Sequence, residues 1–178
     1  ILESRRRSER LTAEGRRAFQ VMEESVRRQE RVVRNLLDLS RLEAGRWESR
    51  LEPVRLDGIV TEALDDYRET IDALDIDLTT DLHPLTVESD RAMLWHVFSN
   101  LIHNAVKFRA REGRPEIAVR LAAVDDGARV SIADNGIGMM PEELGKVFNK
   151  FYQSTASSEG SGVGLSICKR IVEQLGGR

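Results

Sequence analysis

Three polar side chains recur about one helical turn apart in the segment from Leu94 to Phe108, and their types could bind a metal ion and phosphate. The apolar residues of this segment recur every three or four positions, which predicts an amphipathic helix with one buried face. Asn100, Asn104 and Lys107 then lie along one edge of that helix. Asparagine is unfavourable inside a helix, because its amide competes for backbone hydrogen bonds. By itself, this segment leaves open whether the edge binds a ligand or is only solvated.

A second group of residues follows a predicted strand. Asp134 is followed closely by Gly136 and Gly138. A carboxylate at a strand end can accept a hydrogen bond from a ligand amine, while the glycines let the backbone approach the ligand closely. A plain turn is the alternative interpretation.

A third group is the glycine-rich stretch Gly160, Gly162 and Gly164, which opens the last predicted helix. Free amides and the helix dipole at such an end bind phosphate well. No strand immediately precedes the stretch and no Gly-Lys-Ser/Thr ends it, so it fits neither a dinucleotide fingerprint nor a P-loop. Phe148 and Phe151 precede a polar, serine-rich segment at 152–158, whose composition predicts a mobile lid.

Composition limits the class of protein. The chain has 178 residues, is 40% hydrophobic and 32% charged, and carries a net charge of -3, as expected for one or two soluble domains without a nucleic-acid footprint. A single cysteine, Cys168, excludes an internal disulfide and fits a reducing, cytoplasmic location. No apolar run approaches the ~20 residues of a membrane span, so no membrane contact is expected. The start at Ile1 and the abrupt end at Gly176-Gly177-Arg178 suggest a piece of a longer chain.

The amino-terminal part reads as one long helix over residues 11–48, with Thr12 as its N-cap. Its apolar stripe follows heptad spacing and predicts packing on partner helices, as in a dimerising arm. The stripe consists of Phe19, Met22, Val26, Val33 and Leu36. Gly45 can end this helix and Pro53 forbids its continuation. The predicted domains are therefore an arm at 1–48 and a second domain at 49–178.

The second domain alternates strands and helices. Predicted strands cover residues 51–56, 75–81, 85–88, 117–124 and 128–133, the last two forming a hairpin. Predicted helices run from Asp57 to Leu74, from Asp90, from Pro141 and from Val163 to Leu175. This order predicts an α+β fold, an α/β sandwich with a mixed, mostly antiparallel sheet and helices on one face.

The motif order, Asn-x3-Asn-Ala-x-Lys, Asp-x-Gly-x-Gly, Phe-x2-Phe and Gly-x-Gly-x-Gly-Leu, resembles the Bergerat-type ATP-binding domain of sensor histidine kinases. The arm, with Leu-Leu-Asp-Leu-Ser-Arg-Leu-Glu-Ala-Gly at 36–45, resembles the second helix of their dimerisation and phosphotransfer hairpin. Each motif alone is weak, but four in order with a matching arm are specific. Gln153 departs from the pattern, since many relatives have arginine there.

The resemblance implies an ATP site with Mg²⁺. Asn104 would bind the metal, Asn100 and Lys107 would contact the phosphates, and these three would be the catalytic residues. Asp134 would accept the adenine amine. The remaining residues implied to surround ATP are Gly136, Gly138, Phe151, Gly160, Gly162, Val163, Gly164 and Leu165.

The resemblance also implies a histidine protein kinase that works as a homodimer through the arm and passes phosphate to a response regulator. DNA gyrase and mismatch-repair ATPases carry a water-activating glutamate four residues before the magnesium asparagine. Asn100 stands there instead and cannot take a proton, which favours a kinase over an ATPase. None of His83, His96 or His103 has an acceptor context, so the phosphorylated histidine is expected outside these residues. A degenerate, non-catalytic ATP-binding scaffold is the alternative.

Overall fold

The computed structural model describes residues 12–43, 47–125, 127–153 and 162–178. The first element is helix α1, Ala13–Glu43. Thr12 caps it as predicted, because its Oγ1 accepts a hydrogen bond from the Gly15 N–H at 3.2 Å. The prediction of a helix to residue 48 was too long, since residues 47–50 are not helical; Gly45 lies outside the described residues.

The elements after the arm position the candidate site. In chain order they are β1 (Glu52–Arg55), α2 (Leu56–Asp65), α3 (Arg68–Ala73), β2 (Asp77–Leu82), β3 (Thr86–Ser89), α4 (Arg91–Lys107), β4 (Glu116–Val124), β5 (Gly127–Asp134), α5 (Pro141–Leu144) and α6 (Gly164–Gln174). None of the helices that the structure describes is long and apolar enough to cross a membrane.

The strands form two sheets. One pairs β1 with β3 antiparallel, and the other has the order β2-β4-β5. In the second sheet β2 runs parallel to β4, whereas β4 and β5 form the predicted antiparallel hairpin. The expectation of a mixed, mostly antiparallel strand arrangement is confirmed.

The core lies between one face of this sheet and the helices. Ile117, Val119 and Leu121 alternate along β4 and are at most 1% exposed, while Glu116 and Arg120 on the opposite face are exposed. Fully buried residues of α2, α4 and α6 complete the same core, among them Val60, Met93, Ile102 and Ile167. Since each buried aliphatic side chain stabilises the fold by about 1.5–3 kcal/mol, this face fixes where α4 and α6 lie. The predicted α+β sandwich with helices on one face is confirmed.

The prediction of one helix from Asp57 to Leu74 was wrong in two respects. The helix begins at Leu56, so Asp57 lies in its first turn rather than at its N-cap. The Asp57 carboxylate pairs with the Arg55 guanidinium, which lowers the pKa of Asp57. The helix also breaks after Asp65, because the Tyr67 amide bonds back three residues to the Leu64 carbonyl at 3.0 Å and tightens the turn.

The end of α1 and Trp47 after it contact α4 and α6. Asp38 Oδ2 lies 3.5 Å from His96 Nδ1, and both side chains are 11% exposed. The Trp47 ring meets His96 edge-on, and Gln174 Nε2 donates to the Trp47 carbonyl at 2.7 Å. His96 therefore packs between the end of α1 and Trp47. The apolar stripe farther up the arm remains exposed at Met22, Val26, Val33 and Leu36, and pairing with a second arm stays a prediction.

Asp90 connects the segment before β1 to the start of α4. Its Oδ1 accepts from the Met93 N–H at 2.9 Å as the helix N-cap, and its Oδ2 accepts from the Arg50 N–H at 2.8 Å. We expect Asp90→Ala to lower the free energy of unfolding by about 2–4 kcal/mol, because it removes a cap and deprives two backbone donors of their acceptor. Denaturant unfolding measures this, with Asp72→Ala as a control at an exposed helical aspartate. Equal losses in the two variants would contradict the assignment.

Candidate nucleotide site

The polar edge of α4 forms the floor of the candidate site. Asn100, Asn104 and Lys107 lie on one edge of the helix, and each is partly buried. Asn100 Nδ2 donates to the His96 carbonyl at 3.1 Å, which fixes the amide plane. The second Nδ2 proton can still donate to a phosphate, while Oδ1 is directed toward the start of α6.

The glycine-rich start of α6 meets this edge at Asn100. A Cβ added to Gly164 would lie 3.1 Å from Asn100 Oδ1, so a side chain there would require the Asn100 amide to shift by a few tenths of an ångström. Val163, the N-cap, is fully buried and contributes its side chain to the core, which anchors the start of α6. The amino-terminal end of α6, with the positive end of its dipole, therefore lies next to the asparagine edge, where an anion would be held.

The Asp134 loop meets the other end of α4. A Cβ on Gly136 would lie only 2.1 Å from the Phe108 carbonyl oxygen, and the Ile137 N–H donates to that same oxygen at 3.0 Å. Asp134 Oδ1 accepts from the Gly136 N–H at 2.9 Å, so one carboxylate oxygen holds the turn while the side chain remains exposed. Gly138 has a φ of +66°, a left-handed backbone conformation that favours glycine.

Two residues that the sequence analysis did not assign hold this geometry together. Asn135 clamps the loop to the start of β4, since its Oδ1 accepts from the Glu116 N–H at 2.8 Å and its Nδ2 donates to the Arg114 carbonyl at 3.0 Å. Phe108 follows α4, and its ring lies 4.3 Å from Lys107 Nζ. Phe108 could have been identified from its position directly after the Asn-x3-Asn-Ala-x-Lys motif. No sequence rule predicted the role of Asn135.

The residues flanking the predicted lid meet each other. Phe151 has a φ of +61° and Gly162 a φ of +66°. A Cβ on Gly162 would lie 2.6 Å from the Tyr152 carbonyl oxygen and 2.7 Å from the Phe151 carbonyl carbon. The Phe151 side chain is 63% exposed, and Leu165 is partly buried. Gly160 and most of the predicted lid lie outside the described residues.

Cys168 takes no part in this chemistry. It is buried behind α4, where its Sγ lies 3.8 Å from the Val97 carbonyl oxygen, and burial raises the pKa of its thiol to about 12. The thiol therefore stays protonated at neutral pH and is not a nucleophile. The chemistry of the site belongs to amides, one carboxylate and lysine.

The family model described as histidine kinase-, DNA gyrase B-, and HSP90-like ATPase matches residues 89–178, just over half of the chain and the part that contains these motifs. The chain belongs to this ATPase family. Asn100 and Asn104 on α4, the Asp134 loop and the start of α6 all fall within the matched residues.

Several of the proteins similar to this chain are histidine kinases. The methanogenesis regulatory histidine kinase FilI of Methanothrix harundinacea (strain 6Ac) is 34% identical over 158 residues, which are 89% of this chain and 18% of FilI. The structure of full-length ShkA with AMPPNP is 28% identical, has a TM-score of 0.75, and matches over 94% of this chain and 35% of ShkA. The solved mycobacterial sensor histidine kinase MprB is 32% identical, has a TM-score of 0.64, and matches over 70% of this chain and 82% of that one. The resemblance to a sensor histidine kinase catalytic core is confirmed, and the chain spans about a fifth of FilI.

Proposed function

We propose that this chain is the ATP-binding catalytic core of a two-component sensor histidine kinase. It transfers the γ-phosphoryl group of ATP to a histidine outside residues 1–178, and from there the group passes to an aspartate of a response regulator. The observation that carries the proposal is the convergence of two separate loops on α4, with the start of α6 at Asn100 and the Asp134 loop at Phe108. These contacts lie eight residues, or about 12 Å, apart along the helix, a span that suits an extended nucleoside triphosphate.

The Asp134 end suits the adenine base. Asp134 uses Oδ1 for the Gly136 amide, so its other oxygen can accept from the exocyclic amine. Gly136 and Gly138 bring no side chain into the loop. Because an ionised carboxylate can only accept hydrogen bonds, it selects an amine and disfavours a carbonyl at that position of the base.

The Asn100 end suits the phosphates and a magnesium ion. Mg²⁺ is usually held by one or two protein oxygens together with substrate phosphates, and Asn104 would supply such an oxygen. Asn100, Lys107 and the amides at Gly162 and Gly164 would contact the phosphates, with the Val163 main chain, Leu165, Phe151 and Gly160 around them. The bound metal would neutralise charge on the transferred group, while these side chains orient it.

Transfer is favoured over hydrolysis by the chemistry of Asn100. An amide cannot remove a proton from water, so no residue at this position activates water as a nucleophile. Most of the catalysis then comes from positioning the γ-phosphoryl group, which is transferred when a histidine is brought next to it. The exposed stripe on α1 is consistent with a homodimer through the arm, which would bring a second chain into the assembly.

The proposal is tested by Asp134→Asn. Asparagine keeps the Oδ1 acceptor for the Gly136 amide, so the loop should fold normally. Its Nδ2 then presents donors where the adenine amine needs an acceptor, and we expect ATP affinity to fall about tenfold or more, since a hydrogen bond to a charged group contributes ~1.5–3 kcal/mol. Isothermal titration calorimetry with ATP measures the change.

The matched control is Asp125→Asn, which removes the same charge from the exposed turn of the hairpin. It should bind ATP like the unaltered chain. ATP binding that is undetectable in the unaltered chain would overturn the proposal. Unchanged affinity in Asp134→Asn alone would overturn the adenine assignment.

A further inference from the structure

Tyr152 is the first residue of the predicted lid segment, and its side chain contacts Glu143 of α5. Its hydroxyl donates to Glu143 Oε1 at 3.3 Å. Glu143 is 7% exposed, and its Oε2 accepts from the Met140 N–H at 3.0 Å. One buried carboxylate thus ties the start of α5 to the residue after Phe151.

The phenol is a hydrogen-bond donor at neutral pH. Burial, and then the negative charge of Glu143, raise the pKa of Tyr152 above its usual value near 10. The hydroxyl therefore keeps its proton and donates it to the Glu143 carboxylate. Such a bond can hold the main chain of Tyr152 in place.

A series of contacts connects the main chain of Tyr152 to the phosphate end of the site. Phe151 adopts a left-handed conformation, and the backbone of Phe151 and Tyr152 packs against Gly162 so closely that a Cβ there would be 2.6 Å from the Tyr152 oxygen. Two residues on, Gly164 packs against Asn100 Oδ1. Val163 between them is fully buried and anchors this short segment to the core.

We propose that Tyr152 is a positioning residue for nucleotide binding: through Glu143 it holds the 151–152 backbone against Gly162, and so sets the amides at Gly162 and Gly164 beside Asn100. The inference rests on the proposed function and adds to it a residue that acts on the triphosphate without touching the base. If Tyr152 has this role, loss of its hydroxyl weakens the binding of ATP but not of AMP, which lacks the outer phosphates.

The test is Tyr152→Phe, titrated with ATP by calorimetry and with AMP by NMR. We expect ATP affinity to fall about three- to tenfold, which corresponds to losing one hydrogen bond of this kind, with AMP affinity unchanged. The melting temperature shows whether the variant remains folded. Tyr67→Phe is the matched control, because Tyr67 is the other tyrosine of the chain and its ring packs on His103 instead.

Gly162→Ala probes the same contact from the opposite side and should also weaken ATP binding selectively. If the contact is shared, the double variant should lose less ATP affinity than the product of the two single losses. Unchanged ATP affinity in Tyr152→Phe, equal losses for ATP and AMP, or independent effects in the double variant would each overturn the inference. Absence of ATP binding in the unaltered chain would instead overturn the proposed function on which the inference rests.

Discussion

Replacing Asn104 with alanine is expected to abolish the magnesium dependence of ATP binding. The side chain projects from the polar edge of α4, where the proposed function gives its oxygen to the metal. Alanine is a better helix former than asparagine, so α4 should remain intact. In a chain that also carries the acceptor histidine, we expect phosphoryl transfer to fall about 10²–10³-fold, the range seen when one group that stabilises transition-state charge is removed.

Calorimetric titrations with ATP in magnesium and in EDTA measure the first effect, and incorporation of labelled phosphate measures the second. Asn149→Ala serves as the control, since it removes an exposed amide outside α4. Magnesium dependence that persists in Asn104→Ala would refute the metal assignment. If Asn104→Ala lost the magnesium dependence but transferred phosphate normally, only the catalytic role of Asn104 would be refuted.

Gly136→Ala is expected to destroy the adenine end of the site. The added methyl group would lie 2.1 Å from the Phe108 carbonyl oxygen and 2.6 Å from Asp134 Oδ1, and neither can move without breaking a hydrogen bond to the loop. We expect a loss of about 1–3 kcal/mol in the free energy of unfolding from overpacking, with about 0.5–1.5 kcal/mol more if the Ile137–Phe108 hydrogen bond breaks. ATP binding should become undetectable by calorimetry.

Gly145→Ala is the matched control. Gly145 has a helical φ of -73°, and nothing lies within 4 Å of an added Cβ. Alanine there should leave ATP binding unchanged and stabilise the fold by about 0.4–1 kcal/mol, through lower entropy of the unfolded chain. If Gly136→Ala bound ATP as well as Gly145→Ala does, the close contact between the Asp134 loop and Phe108 would be wrong.

Local features were predictable because consecutive residues encode them. The apolar period of α4 places Asn100, Asn104 and Lys107 on one edge whatever the helix packs against. The cap at Thr12 and the start of α5 at Pro141 need only neighbouring side chains and backbone. Asp57 was the exception: it has the right residue type for an N-cap, but the helix begins one residue earlier and Arg55 takes its carboxylate.

The order of motifs was also available from the sequence, and with it the family. Four short patterns along one chain constrain the fold jointly, although each alone fits a turn or a solvated edge. The sandwich, with helices on one face of a mixed sheet, was predictable separately, from the alternation of strands and helices.

Only the tertiary structure decided which groups meet. The contact of Gly136 with Phe108 and that of Gly164 with Asn100 join segments far apart in sequence, and no local period encodes the separation. The clamp by Asn135 and the Tyr152–Glu143 bond depend in the same way on where the core places each loop. The sequence determined the chemical groups and the helix edge that presents them. Burial of one face of β4 against α4 and α6 determined the distances between them, because packing of distant segments sets their separation.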